Sequence, residues 1–277
     1  MPDPSFFIPL FLQSAALPFG VALVLLFVLR ASRAGVPLAI AAAFLASYFA
    51  VLHQQWSLAP KQAIDWMPCI VVLAAAGVAA AERSATTIRR LLRLLTSVAI
   101  SAIVAWPALA SSGMQNTAMT IVLMGACIWA AWTTLARSAD SSSTPPVLLT
   151  IVAGGAALAL MLDASQLIGQ LTGGLAAALM AFLALNMRRL PGAFSGAATG
   201  LTVLLLGALL GYAYIYAGFS LTYIALLASG LLAGTIIDTV RGDGRAASWL
   251  PAALLAIVPV MLVLGLAIKA AQDAGGY

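Results

Sequence analysis

VLLTIVAGGAALALML, residues 147–162, is one of ten long apolar runs in this chain, and such runs decide its solvent. A helix needs about 20 mostly apolar residues to cross the hydrocarbon core of a bilayer. Runs of this kind lie near 6–29, 36–55, 64–81, 91–110, 117–136, 147–162, 168–187, 195–217, 220–237 and 249–270. They are continuous rather than alternating, which predicts helices and not the strands of a membrane barrel. Charged residues make up only 8% of the 277, and hydrophobic ones 63%. A soluble fold cannot cover so much apolar surface, since its own surface must face water. The expected architecture is an all-α integral membrane protein, a bundle of about ten transmembrane helices. The whole chain reads as one polytopic domain, with no soluble domain. MPDPSFF at the start lacks the positive region of a signal peptide, so the first run is expected to stay as a span.

The basic residues test this count, because they collect on the cytoplasmic side. With ten spans, Arg30, Arg33, Arg83, Arg89, Arg90, Arg93, Arg137, Arg188, Arg189, Arg241 and Arg245 all fall on one face. Both lysines, Lys61 and Lys269, fall on the other, with Asp3, Asp65, Asp163 and Asp273. Losing one helix would invert every later loop and mix the two sets. Both termini are therefore expected on the non-cytoplasmic side. The formal net charge of +5 does not mark a nucleic-acid partner, because the charges are spread singly between apolar runs. The partner that the composition implies is a lipid bilayer. An Ala-rich, Arg-over-Lys composition points to a GC-rich bacterial genome and hence to a bacterial inner membrane.

Ten spans allow two sets of five related by a 5+5 inverted repeat, a common plan in transporters. Pro18 and Gly20 in the first run and Gly154 and Gly155 in the sixth are the matching candidate interruptions. The sixth and seventh runs are the weakest, parted by Asp163. A single helix from Val147 to Met187 would be about 60 Å long, twice the bilayer core. A hairpin turning at 163–167 fits better, with a re-entrant pair as the alternative.

Four places could carry chemistry. HQQWSLAPKQAIDW, residues 53–66, holds the only histidine. His53, Gln54, Trp56, Lys61, Asp65 and Trp66 form its candidate outer polar site. Ala59-Pro60 reads as a helix start, which would set Lys61 and Asp65 on one face. The simpler reading is an interfacial belt, with tryptophan at the membrane edge. The second place is the hairpin turn, with Asp163, Gln166 and Gln170. An acid inside a membrane marks function, whereas at the turn Asp163 would simply cap the next helix. The third is an aromatic wall, Tyr212 and Tyr216, one helical turn apart. The fourth is a basic cytoplasmic face of Arg89, Arg90 and Arg93, suited to anionic lipid headgroups or an acidic partner.

The absences narrow the classes. One His, Cys69 and Cys127 do not assemble a zinc, haem or iron–sulfur site, so no metal or cofactor is expected. The two cysteines read as small apolar core residues. HExxH, GxSxG and P-loop motifs are missing. Three functions remain in order. The first is a transporter of a small solute or lipid-linked substrate. The second is a non-catalytic subunit of a larger membrane complex. The third is an outer-leaflet enzyme using His53 and Asp65.

Overall fold

The computed structural model describes residues 4–30, 32, 34–52, 60–109, 113–139, 144–186, 194–241 and 249–273. Among these residues the chain is an all-α membrane bundle with no strand. Helix α1 runs Pro4–Phe11, through a π-helical turn Leu12–Ala16, into Leu17–Val28. Then come α2 (Gly35–Leu52), a 3-10 turn Ala63–Trp66 leading into α3 (Met67–Arg83), and α4 (Thr86–Ala105), which ends in a 3-10 turn Trp106–Ala108. The rest are α5 (Met114–Ser138), α6 (Thr144–Asp163), α7 (Gln166–Asn186), α8 (Gly196–Ala217), α9 (Leu221–Arg241) and α10 (Trp249–Asp273). Among the described residues nine of these are long and apolar enough to cross a membrane, and α9 carries a shorter apolar stretch, Leu221–Ala233. The end of the bundle bearing the arginines is called inner below, and the opposite end outer.

The ten helices match the ten apolar runs in order. The short sixth run gains a turn at its start, because Thr144, Pro145 and Pro146 belong to α6. Proline tolerates the first helical turn, where no intrahelical acceptor is lost. The sixth and seventh spans form a full hairpin, two helices of 20 and 21 residues.

Interruptions follow a local cause. In α1 the Leu17 N–H reaches back five residues to the Leu12 carbonyl. Pro18 has no N–H for the Ser14 carbonyl, so the ladder widens just before it. The Ser47 hydroxyl of α2 donates to the Gln13 carbonyl at 3.0 Å, tying α2 to the widened turn. No matching break exists in α6, which is continuous through Gly154 and Gly155. Gly155 instead faces Val260, letting α6 lie close along α10.

Lipid gives helices no hydrophobic reason to associate, so small residues that permit close packing decide the arrangement. Helix α8 is the axis of the bundle and touches α2, α3, α4, α5, α6 and α7. Its Gly200, Gly207 and Gly211 face Trp132, Ile128 and Met124 of α5 in turn. The opposite running order of the two sets shows that α5 and α8 are antiparallel. Gly218, at φ 70°, ends α8 and directs its N–H to the Ala213 carbonyl. Large apolar side chains on α1, α5 and α10, such as Phe11, Val122 and Leu254, stay on the surface for lipid to cover. Cys69 and Cys127 are also exposed there, which corrects their expected place in the core. A thiol is apolar enough to face acyl chains as readily as protein.

Candidate functional site

The outer ends of α3, α7 and α8 are built from irregular backbone, and this is where the expected sites converge. The third span does not start at Pro60, and Ala59 lies outside the described residues. Gln62 is the N-cap of the turn Ala63–Trp66, and Asp65 completes a capping box with it. The Asp65 carboxylate accepts the Lys61 and Gln62 backbone N–H groups, both at 2.8 Å. Lys61 and Asp65 therefore do not share a helix face. The capping box sets the start because it satisfies donors that the helix end leaves free. Trp66 is 40% exposed, as an interfacial tryptophan should be. His53, Gln54 and Trp56 lie outside the described residues.

At the hairpin, Asp163 is the last residue of α6 and does not cap α7. Ser165 takes that role, its hydroxyl oxygen accepting the Ile168 N–H at 3.4 Å. Being two residues closer, Ser165 stands at the N-cap position, whereas Asp163 lies near Tyr223 of α9. Gln166 is exposed, and Gln170, one turn deeper, is buried.

Tyr212 and Tyr216 join these segments. Their rings lie 5.8 Å apart on one face of α8. The Tyr212 hydroxyl donates to the Ala63 carbonyl at 2.8 Å, and the Tyr216 hydroxyl to the Val104 carbonyl at 2.9 Å. Tyr48 of α2 adds a longer bond to the Ile64 carbonyl, 3.4 Å. The 3-10 turns beside Pro60 and Pro107 depart from the regular helical ladder. The tyrosines reach across to carbonyls in and beside those turns, so their hydroxyls do not enter lipid unpaired.

A cavity of about 280 Å³ opens between these parts. Gln62 and Ile64 line it from α3, Ser165 and Ile168 from the hairpin, and Tyr212 and Tyr216 from α8. Three segments singled out separately in the sequence thus meet around one space, with backbone and neutral polar groups at its edge. Asp163, Lys61 and Asp65 are not among its lining residues. Among the described residues no three His, Cys, Asp or Glu side chains gather as metal ligands would.

The inner ends of α3, α4, α5 and α8 bring together a cluster the sequence reading missed. Arg93 does not belong to a flat basic face with exposed Arg90. Its guanidinium reaches Glu82 of α3 at 2.8 Å and lies 5.3 Å from the centre of the Trp132 ring of α5. This is the one ion pair among the described residues, and Glu82 is the only glutamate in the chain. Glu82 also faces the first turn of α8, where a Cβ on Gly196 would lie 3.4 Å from its Oε1. A carboxylate is favoured there by the helix dipole. Arg89 is half-buried and donates to the Ser84 carbonyl at 3.3 Å. Four buried nitrogens, Nε of Arg89 and Arg93 and Nε1 of Trp129 and Trp132, have no hydrogen-bond partner. Each such donor costs about 1–3 kcal/mol. The usable signal was the sole glutamate facing a basic helix start across the short turn RSATTIRR.

No protein-family model matches the chain, and no curated protein is significantly similar to it, so the geometry of these two ends carries the functional argument.

Proposed function

We propose that this polytopic membrane protein is a carrier for a small, uncharged solute or lipid-linked molecule, held here with its outer side open. The observation that supports this is the asymmetry between the two ends of α3 and α8. Outside, segments from the first five helices and the last five line one cavity. Inside, Glu82, Arg93 and Trp132, all from the first five helices, pack together against Gly196 and Gly200 of α8 in the last five. A carrier needs this arrangement, and its opposite, around a shared site. The unpartnered nitrogens make the closed inner end costly, and opening it would hydrate them. The arginine distribution and composition support a bacterial inner membrane as its location, with the arginines toward the cytoplasm.

Cysteine accessibility separates a carrier from a rigid subunit of a larger complex. Ser165 lines the outer cavity, and Ser97 is fully buried one turn beyond Arg93, its hydroxyl donating to the Arg93 carbonyl at 2.8 Å. Each is replaced by cysteine in a Cys69→Ala, Cys127→Ala background. A membrane-impermeant maleimide is expected to label Ser165→Cys from outside and to leave Ser97→Cys untouched from inside. Adding Arg93→Ala should raise inner labelling about tenfold, the effect of a shift of about 1.4 kcal/mol between two states, while outer labelling falls. Inner labelling that rises with no outer loss, or no change at either end, contradicts the carrier.

A further inference from the structure

A second opening lies beside the outer cavity. It is a groove of about 480 Å³ between α4, α5 and α8. Its wall toward the protein is formed by Ala105 and Ala108, both buried. Its other side is the membrane surface, where Met119 is 63% and Leu123 54% exposed. The groove is therefore open sideways to the outer leaflet, at the depth of the first turns of α5.

The lining is graded along that helix. Asn116, Thr117 and Thr120 stand at its outer end, with Tyr214 opposite on α8. Leu123 comes seven residues after Asn116, about 10 Å deeper at 1.5 Å per residue. An amide and hydroxyls sit where a headgroup would lie, and apolar side chains where an acyl chain would begin. No charged side chain lines either the groove or the outer cavity. A charged headgroup drawn into either would lose water without gaining a counter-charge, which is costly. A hydroxyl-bearing, uncharged head has a smaller cost, and the Thr117 and Thr120 oxygens, whose own hydrogens go to the Gly113 and Asn116 carbonyls, can still accept from it.

Tyr216 lies at the border of the two spaces. It lines the outer cavity, while its neighbour Ile215 lines the groove. Its hydroxyl donates to the carbonyl of Val104, the residue before Ala105 in the groove wall. Tyr216 thus stands where α8 meets α4 between the two spaces, its hydroxyl tied to the α4 backbone.

We propose that the groove admits an outer-leaflet amphiphile with an uncharged, hydroxyl-bearing headgroup, and that this molecule reaches the outer cavity past Tyr216. The proposal rests on the carrier reading and names its substrate class. A monoglucosyl diacylglycerol carrying a diazirine in its acyl chain is the probe. Phosphatidylglycerol with the same chain is the charged comparison. Both are photolysed with the full-length protein in phosphatidylcholine nanodiscs, and crosslinked peptides are mapped.

The sugar-headed probe should label residues 114–123 about fivefold more than the charged one, a ratio within the reach of one net hydrogen bond. Asn116→Leu with Thr120→Val should remove that preference. Tyr216→Ala should raise labelling of residues 165–168. Equal labelling by the two probes, or labelling of α1, α5 and α10 in proportion to exposure, overturns the proposal, since the groove then holds ordinary boundary lipid. Neither result bears on Ser97 and Ser165 accessibility, so the carrier reading stands or falls separately. A headgroup preference at 114–123 that survives while Tyr216→Ala leaves 165–168 unchanged overturns the passage between the two spaces.

Discussion

The Gly200→Val variant is expected to lose about 3 kcal/mol of stability, the upper part of the range for overpacked interiors. A Cβ at Gly200 would fall 2.7 Å from Cζ2 of Trp132 and closer still to the indole nitrogen edge. The ring has no room to retreat, because Trp132 is fully buried and the Arg93 guanidinium lies over its face. Relief would have to come from moving α8 away from α5, which also strips Gly207 and Gly211 from Ile128 and Met124. Gly154→Val is the matched control. It makes the same change of residue inside α6, where nothing lies within 4 Å of the added Cβ. Thermal unfolding of the two variants in one detergent should show a clear drop for Gly200→Val and a small change for Gly154→Val. Adding Trp132→Leu should recover part of the loss by making space. Equal unfolding temperatures for the two glycine variants would mean that α8 is not seated on Trp132.

Arg93→Ala is expected to cost about 2 kcal/mol. Breaking a fully buried ion pair costs about 3–5 kcal/mol, and the figure is lowered because Glu82 keeps 28% of its side chain exposed. The loss has two parts. Glu82 is left beside the α8 N-terminus without its cation, and Trp132 loses the guanidinium over its ring. Glu82→Gln should cost less, because Arg93 keeps the Trp132 contact and can still donate to an amide oxygen. The double variant Glu82→Gln, Arg93→Ala should be more stable than the sum of the single losses predicts, with a coupling of about 1 kcal/mol. Additive losses in this cycle would show two independent residues and no latch between α3 and α4.

The spans were legible because lipid imposes a length and an apolar composition on every helix, and because arginines mark one face. Boundaries were less legible where two local signals competed. Ala59-Pro60 looked like a helix start, but Gln62 and Asp65 form a capping box three residues on. Asp163 looked like a cap, but Ser165 stands nearer the N–H groups of α7. Pro18 marked a true break in α1; Gly154 and Gly155 did not mark one in α6, since glycine there serves packing against Val260. The outer cavity was half visible: the segments around Gln62, Ser165 and Tyr212 were each distinctive, but their convergence depends on α8 running through the centre. The Glu82–Arg93–Trp132 cluster was hidden, because arginine near a membrane edge reads as topology and only a third helix reveals that Arg93 turns inward. That third helix is fixed by Gly200, whose role is the space it leaves.

The central claim is that opening one end closes the other, and distances along two helices measure it directly. Spin labels at Lys61 and Gln166 report the outer ends of α3 and α7, and labels at Arg83 and Ala184 the inner ends; all four sites are exposed. In the unaltered cysteine-free protein, pulsed electron resonance should give one short inner distance. With Arg93→Ala added, a second, longer inner distance should appear together with a shorter outer one. An inner distance that stays single, or inner and outer distances that lengthen together, would contradict the account.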